Sequence, residues 1–265
     1  MHINTFDRYE VRESLIHHLE ARVKVVITVL FIFSNVLLPD GAWAAFLLSW
    51  GLLLGVNLLA RLPWHYALKR SFIALPFALA AVTVVFTLPG EVVFTLRPGP
   101  WVWTATDAGL VRFASIVVRS WLSVQMAILL TATTPFPDMM HALRHLRAPS
   151  LLVAVISFMY RYLFVLADEA IRLLRAREAR SARLPGRKGG GSLWWRARVA
   201  GNMVGQLFLR SYERSDRVYN AMLARGYRGY IQTINPHQMR GLDWVAGGAA
   251  VLLLLVIQAV GILLR

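Results

Sequence analysis

Apolar residues along the first half of the chain arrive in blocks rather than stripes. Five blocks, Val23–Leu38, Ala42–Ala60, Ser71–Leu88, Leu110–Ala132 and Trp244–Leu264, approach the roughly 20 apolar residues that cross about 30 Å of hydrocarbon. Each predicts a membrane helix, the first extending into its charged N-terminal flank. Pro39-Asp40-Gly41 predicts a tight turn between the first two. Leu88 to Gly109, rich in Pro, Gly and Trp, predicts a loop after the third. Beyond Ala132 the pattern changes. Pro135-Phe136-Pro137-Asp138 opens a short helix, Met139 to Leu146, and Pro149-Ser150 opens a longer one that runs from Leu151 into IRLLRAREARSAR. A Gly-rich break at 185–192 follows. A second long helix then runs from about Arg196 to Ala224, with Val204, Leu207, Phe208, Ser211, Ser215, Val218 and Met222 at the three-and-four spacing of a helical stripe. Gly226 stands where a left-handed residue stops a helix, with Arg225 in the last turn.

Composition turns the blocks into a class. With 57% hydrophobic and 16% charged residues, the chain is expected to be an all-α integral membrane protein. It has about five transmembrane helices plus long cytoplasmic amphipathic helices. The absence of cysteine excludes disulfide and thiolate chemistry. The first twenty residues lack the apolar core and cleavage site of a secretory signal, so insertion is expected to rely on the later spans.

Charge decides the topology. Of the net +15, the segment from Met139 to Arg240 holds eighteen Lys/Arg against five Asp/Glu, which leaves the remainder close to neutral. A sixth apolar block, Leu151–Ala167, is short and has Arg161 at its middle. If it crossed the membrane, the basic tract from Asp168 to Arg240 would lie outside, against the positive-inside bias. The expected arrangement is therefore a cytoplasmic N-terminus and a helix at 151–167 that is buried or lies on the membrane surface. Residues 1–138 form an N-terminal segment with four spans, 139–240 a cytoplasmic helical region, and 241–265 the last span.

The basic region has a pattern beyond its charge. Each of its two long helices finishes in Ala–Arg–small: Ala179-Arg180-Ser181 and Ala224-Arg225-Gly226. Small neighbours leave a guanidinium exposed and let another backbone approach, so that the planar fork can reach carboxylates or carbonyls in a groove. A basic face that merely hugs anionic lipid would not need them. Nucleic acid is not an expected partner, since no recognition fold or ordered aromatic platform accompanies the charge.

At these residues the chain resembles the transmembrane (T) component of energy-coupling factor transporters, and more narrowly the cobalt/nickel permease branch called CbiQ. The resemblance extends over nearly the whole chain. It rests on FDRY and LEARVKVV near the N-terminus, TTPFPDMMHALRHLRAP after the fourth span, YRYLFVLADEAIRLLRAREARSAR, and AMLARGY. It implies a scaffold whose coupling helices end in two Ala-Arg-Gly motifs docked on a pair of cytosolic ABC-type ATPase subunits. ATP-driven motion would pass through these helices to a separate substrate-binding membrane S component. The second motif is intact as Ala224, Arg225 and Gly226, whereas the first has serine for glycine, as Ala179, Arg180 and Ser181. Ser181-Ala182-Arg183 overlaps it, which makes Arg183 the fallback for Arg180. The resemblance also implies a multi-pass protein of the bacterial inner membrane, with cobalt as the cargo its branch favours and nickel or a vitamin as the alternatives.

Other chemistries have less to stand on in this sequence. His141 and His145 share a helical face, but no third ligand is near in sequence, and neither a metal nor a cofactor is expected on this chain. There is no GxxxxGK[ST] loop, so ATP hydrolysis is expected in another chain and this subunit is expected to be non-catalytic. A membrane enzyme acting on lipid phosphates is the rival reading, yet the five acids of the basic region form no metal-ligand pattern. A membrane-anchored adaptor is another. Arg119, inside the fourth span, either pairs within the bundle or meets a partner subunit. Arg161 is expected to pair with Asp138 or Glu169, and Gly51, Gly55, Gly247 and Gly248 to permit close helix packing.

Overall fold

The computed structural model of the chain describes residues 9, 10, 12–96, 103–180, 192–229 and 239–264. Its contacts fall into two units, one within residues 143–235 and the other made of residues 2–142 and 236–265.

The larger unit is the helical bundle. After a single turn, α1 (Leu15–His18), come α2 (Ala21–Leu37) and α3 (Trp43–Leu59), each of 17 residues. At 1.5 Å per residue each is about 25 Å long. The next apolar block does not form one rod. It breaks into α4 (Trp64–Ser71), a 3-10 turn (Phe72–Ala74), α5 (Leu75–Ala81) and α6 (Thr83–Thr87), with a bend of 48° between the halves. Pro76 opens α5. Its ring carries no N–H and crowds the carbonyl one turn back, so a continuous helix fails there. The expected loop after this block holds an antiparallel hairpin instead, β1 (Val92–Leu96) with β2 (Trp103–Thr106), built from the β-branched and aromatic residues of that stretch.

The centre of the bundle is α7 (Asp107–Thr133), capped by the Thr106 hydroxyl, which accepts the Gly109 N–H at 3.1 Å. It packs against α2, α3, α4, α5 and α6, while α11 (Gly241–Leu263) packs on α2 and α3. Phe31, Leu53, Leu122, Leu129, Leu254 and Ile257 form the buried core among these helices. Leu47, Leu58, Leu252, Leu255 and Ile262 point outward and are mostly exposed. An apolar outer surface of that kind suits lipid and not water. A close approach falls at Gly261 of α11, where an added Cβ would stand 2.5 Å from Leu38 Cδ2. Gly51, Gly55 and Gly248 meet nothing within 4 Å, and Gly247 has only an ordinary contact with Val23, so the expected packing role belongs to none of these four.

One short helix, α8 (Phe136–His145), leads from the bundle into the second unit. That unit consists chiefly of α9 (Ser150–Arg180) and α10 (Leu193–Ala224), of 31 and 32 residues. Among the described residues, three helices suffice by length and composition to cross a membrane alone: α7, α11 and α9, the last through its apolar N-terminal half. The bent pair around α4 to α6 makes a fourth. The protein is thus an all-α membrane protein. Its α2 and α3 are shorter than a free-standing span, and the apolar half of α9 is as span-like in composition as they are.

Candidate coupling interface

The end of α10 is built by its own sequence. Arg225 occupies the C-cap with φ −91° and ψ 9°. Gly226 follows at φ +81°, a left-handed conformation that costs an L side chain roughly 1–2 kcal/mol. The Gly226 N–H donates to the Leu223 carbonyl at 2.9 Å and the Tyr227 N–H to the Met222 carbonyl at 3.0 Å. These two bonds are the Schellman closure of a helix, and they satisfy carbonyls that would otherwise be orphaned. Ala224, Arg225 and Gly226 are all exposed, and the Gly226 Cα has open space around it.

The end of α9 is a second exposed arginine. Ala179 and Arg180 close that helix on its exposed surface, and Arg177 and Arg180 sit in the last turn, where cations complement the carbonyl end of the helix dipole. Ser181 and Arg183 lie outside the described residues.

An arginine cluster on one carboxylate holds the two helices together. Glu169 of α9 accepts from Arg210 of α10 at 2.9 Å and from Arg214 at 3.5 Å, with Arg172 at 3.4 Å from its own helix. The Arg210 hydrogen bond, opposed by desolvation and helped by the charges of Arg172, Arg210 and Arg214, holds the Glu169 carboxyl below the ordinary carboxylate range. Glu169 lies beyond the apolar half of α9. Its partners are these three and not Arg161, which corrects that part of the expectation. Past the crossing, residues 172–180 of α9 face residues 193–203 of α10 across an open groove of about 1240 Å³. The helices are therefore antiparallel. Arg180 lies about 16 Å beyond Glu169 along one axis, and Arg225 about 22 Å beyond Arg210 along the other, in the opposite sense. The two candidate arginines stand at opposite ends of the pair.

Arg119 proves to be internal to the bundle. Its guanidinium donates to the Leu38 carbonyl and to Asp40 Oδ1 at 2.9 Å, and Arg112 reaches the other Asp40 oxygen at 3.8 Å. The Ser115 hydroxyl accepts the Gly41 N–H at 3.0 Å. The turn between α2 and α3 is thereby fastened to α7, which decides for pairing within the bundle. At His141 and His145, no group of three His, Cys, Asp or Glu side chains converges among the described residues.

A polar centre at the far end of α2 escaped the sequence reading. Lys24 is buried, with its ammonium donating to the Thr133 carbonyl at 3.0 Å and the His17 carbonyl at 3.4 Å. Asp243, also buried, accepts the Glu20 N–H at 2.9 Å and the Arg240 N–H at 2.7 Å. The first turns of α2 and α11 and the last turn of α7 are joined there, beside the start of α8. A lysine inside the first apolar block and an aspartate immediately before the last were the available signal.

Comparison with known proteins covers every helix of this architecture up to α10. Residues 12–236 match the family described as CbiQ, cobalt transport protein. An uncharacterised protein of Methanocaldococcus jannaschii is 27% identical over 242 residues, covering 90% of this chain and 80% of that one. An energy-coupling factor transporter transmembrane protein EcfT of Lacticaseibacillus paracasei is 27% identical over 258 residues, covering 93% and 94%. A cobalt transport protein CbiQ of Rhodobacter capsulatus is 26% identical over 158 residues, covering 60% and 62%.

Proposed function

Since the chain belongs to the CbiQ family of cobalt transport proteins, we propose that it is the transmembrane coupling subunit of an ATP-driven, energy-coupling factor importer for cobalt ions. The observation that carries the reading is the pair of exposed, helix-terminal arginines with small neighbours at opposite ends of the antiparallel α9–α10 pair. Two separated sockets, one on each of two cytosolic ATPase subunits, fit two separated arginines. A rigid helix pair clamped at Glu169 converts a change in socket spacing into a tilt of both helices. That tilt is the mechanical signal a substrate-binding S component in the membrane would receive. The chain itself is non-catalytic in this scheme and holds no cofactor. It sits in the cytoplasmic membrane with residues 139–240 inside.

A cargo other than cobalt, nickel or a vitamin, is the second reading. It is favoured by the greater coverage of the relatives named EcfT, whose names specify no ion. Radioactive cobalt and nickel uptake by host cells lacking this chain, restored with wild type or Arg225→Glu, tests both. Cobalt uptake restored by wild type and not by Arg225→Glu supports the proposal. Nickel uptake alone shifts the cargo. Uptake restored equally by both forms contradicts the role of Arg225.

A further inference from the structure

At its N-terminal end α10 displays three large apolar side chains in succession. Leu193 is 87% exposed, Trp194 83% and Trp195 48%. They are not a frayed end, because the Ser192 hydroxyl caps the helix by accepting the Trp195 N–H at 3.3 Å. Cations surround them. Arg196 and Arg198 follow in the same turns, both exposed, and Arg177 and Arg180 line the groove opposite Leu193, Trp195 and Arg196. Arg177 and Arg180 make no ion pair among the described residues. Glu169, at the other end of that groove, is already shared by Arg172, Arg210 and Arg214.

We propose that the turn Leu193–Arg198, together with Arg177 across the groove, is an interfacial anchor that seats on the anionic phospholipid headgroups of the bilayer. The chemistry of the patch selects that occupant. Indole rings prefer the headgroup zone, where one edge is apolar and the N–H stays wet, and leucine beside them reaches the acyl boundary. Guanidiniums flanking such rings find lipid phosphate at the same depth. An acidic protein surface would satisfy the arginines but leave two indoles and a leucine against carboxylates.

The natural lack of cysteine makes the test direct. Trp194→Cys carries one environment-sensitive dye on the full chain, reconstituted in vesicles of phosphatidylcholine alone or mixed with phosphatidylglycerol. The expected result is blue-shifted emission and quenching by brominated lipid, several-fold stronger with phosphatidylglycerol. Arg177→Gln with Arg196→Gln removes most of that increment, with the circular dichroism of every variant unchanged. Emission typical of water and equal iodide access in both vesicles overturns the anchor. Equal burial in both vesicles overturns the role of lipid charge. Burial that appears only on adding the partner ATPase overturns the lipid assignment in favour of a protein surface. None of these outcomes depends on uptake, so the anchor and the importer role fail separately.

Discussion

Gly226 and Arg225 illustrate how one residue prepares another. With φ at +81°, Gly226 lets the chain turn away immediately after α10, and the exposed C-cap arginine is followed by a residue with no side chain. Gly226→Ala is expected to cost roughly 1–2 kcal/mol locally. It should fray the last turn and weaken docking of an ATPase several-fold, while the thermal midpoint of the bundle stays unchanged in a melt followed by circular dichroism. Arg225→Lys keeps the charge and loses the fork, so pull-down assays should show it binding less than wild type and more than Arg225→Glu. In the bundle, Arg119→Leu leaves the Leu38 carbonyl without its donor and Asp40 with Arg112 alone, an expected loss of about 1–3 kcal/mol. A double-mutant cycle with Asp40→Asn should then show a coupling well above measurement error, and additive effects would refute the pairing. His17 supplies a pH effect with a definite sign. Burial first, and then the charge of Lys24, lower its pKa from the ordinary 6.5 in the folded chain. The unfolded chain therefore takes up the proton first. Stability is full above pH 6.5 and falls as pH drops through that value toward the lower folded pKa. Thermal midpoints of wild type should fall over that window more than those of His17→Gln.

Among the elements, those whose signal is local were readable from the sequence, and those set by partners in space were not. The bounds expected for the second long helix, Arg196 to Ala224, agree with α10 to within three residues, because Ser192 and Gly226 punctuate it chemically. The block Ser71–Leu88 reads as one span by composition, yet Pro76 and a 3-10 turn divide it. Hydropathy averages over such a break. The hairpin of β1 and β2 was hidden because Pro and Gly between the strands read as loop. The Lys24 and Asp243 centre joins residues more than two hundred positions apart, which no local pattern announces. At the crossing of α9 and α10, Glu169→Gln should loosen the pair and raise amide exchange around Arg210. High salt should do the same to wild type, since the arginines are largely exposed. Because its carboxyl is held below the ordinary range, the wild-type crossing should persist on mild acidification through that range and open only below it.

At the scale of the molecule, the uneven charge is the feature that links sequence to role. Nearly all of the +15 lies in the segment carrying α9 and α10, and the bundle carries the apolar outer surface. The first is suited to meeting polar partners at the membrane surface, the second to staying in lipid. Membership of the CbiQ family, established over residues 12–236, was already legible in ordered fragments such as LEARVKVV and AMLARGY. The identity of the cargo was not, because on this account specificity resides in another subunit. The central claim is that Arg180 and Arg225 are the points through which ATPase motion enters. Its most direct test is purification of the tagged chain from its own host's membranes, as wild type and as Arg180→Glu/Arg225→Glu, with quantification of the ATPase retained. The account predicts an ATPase held by wild type and released by the double variant, with both chains equally folded and inserted. Equal retention by the two, or no ATPase with either, would contradict it.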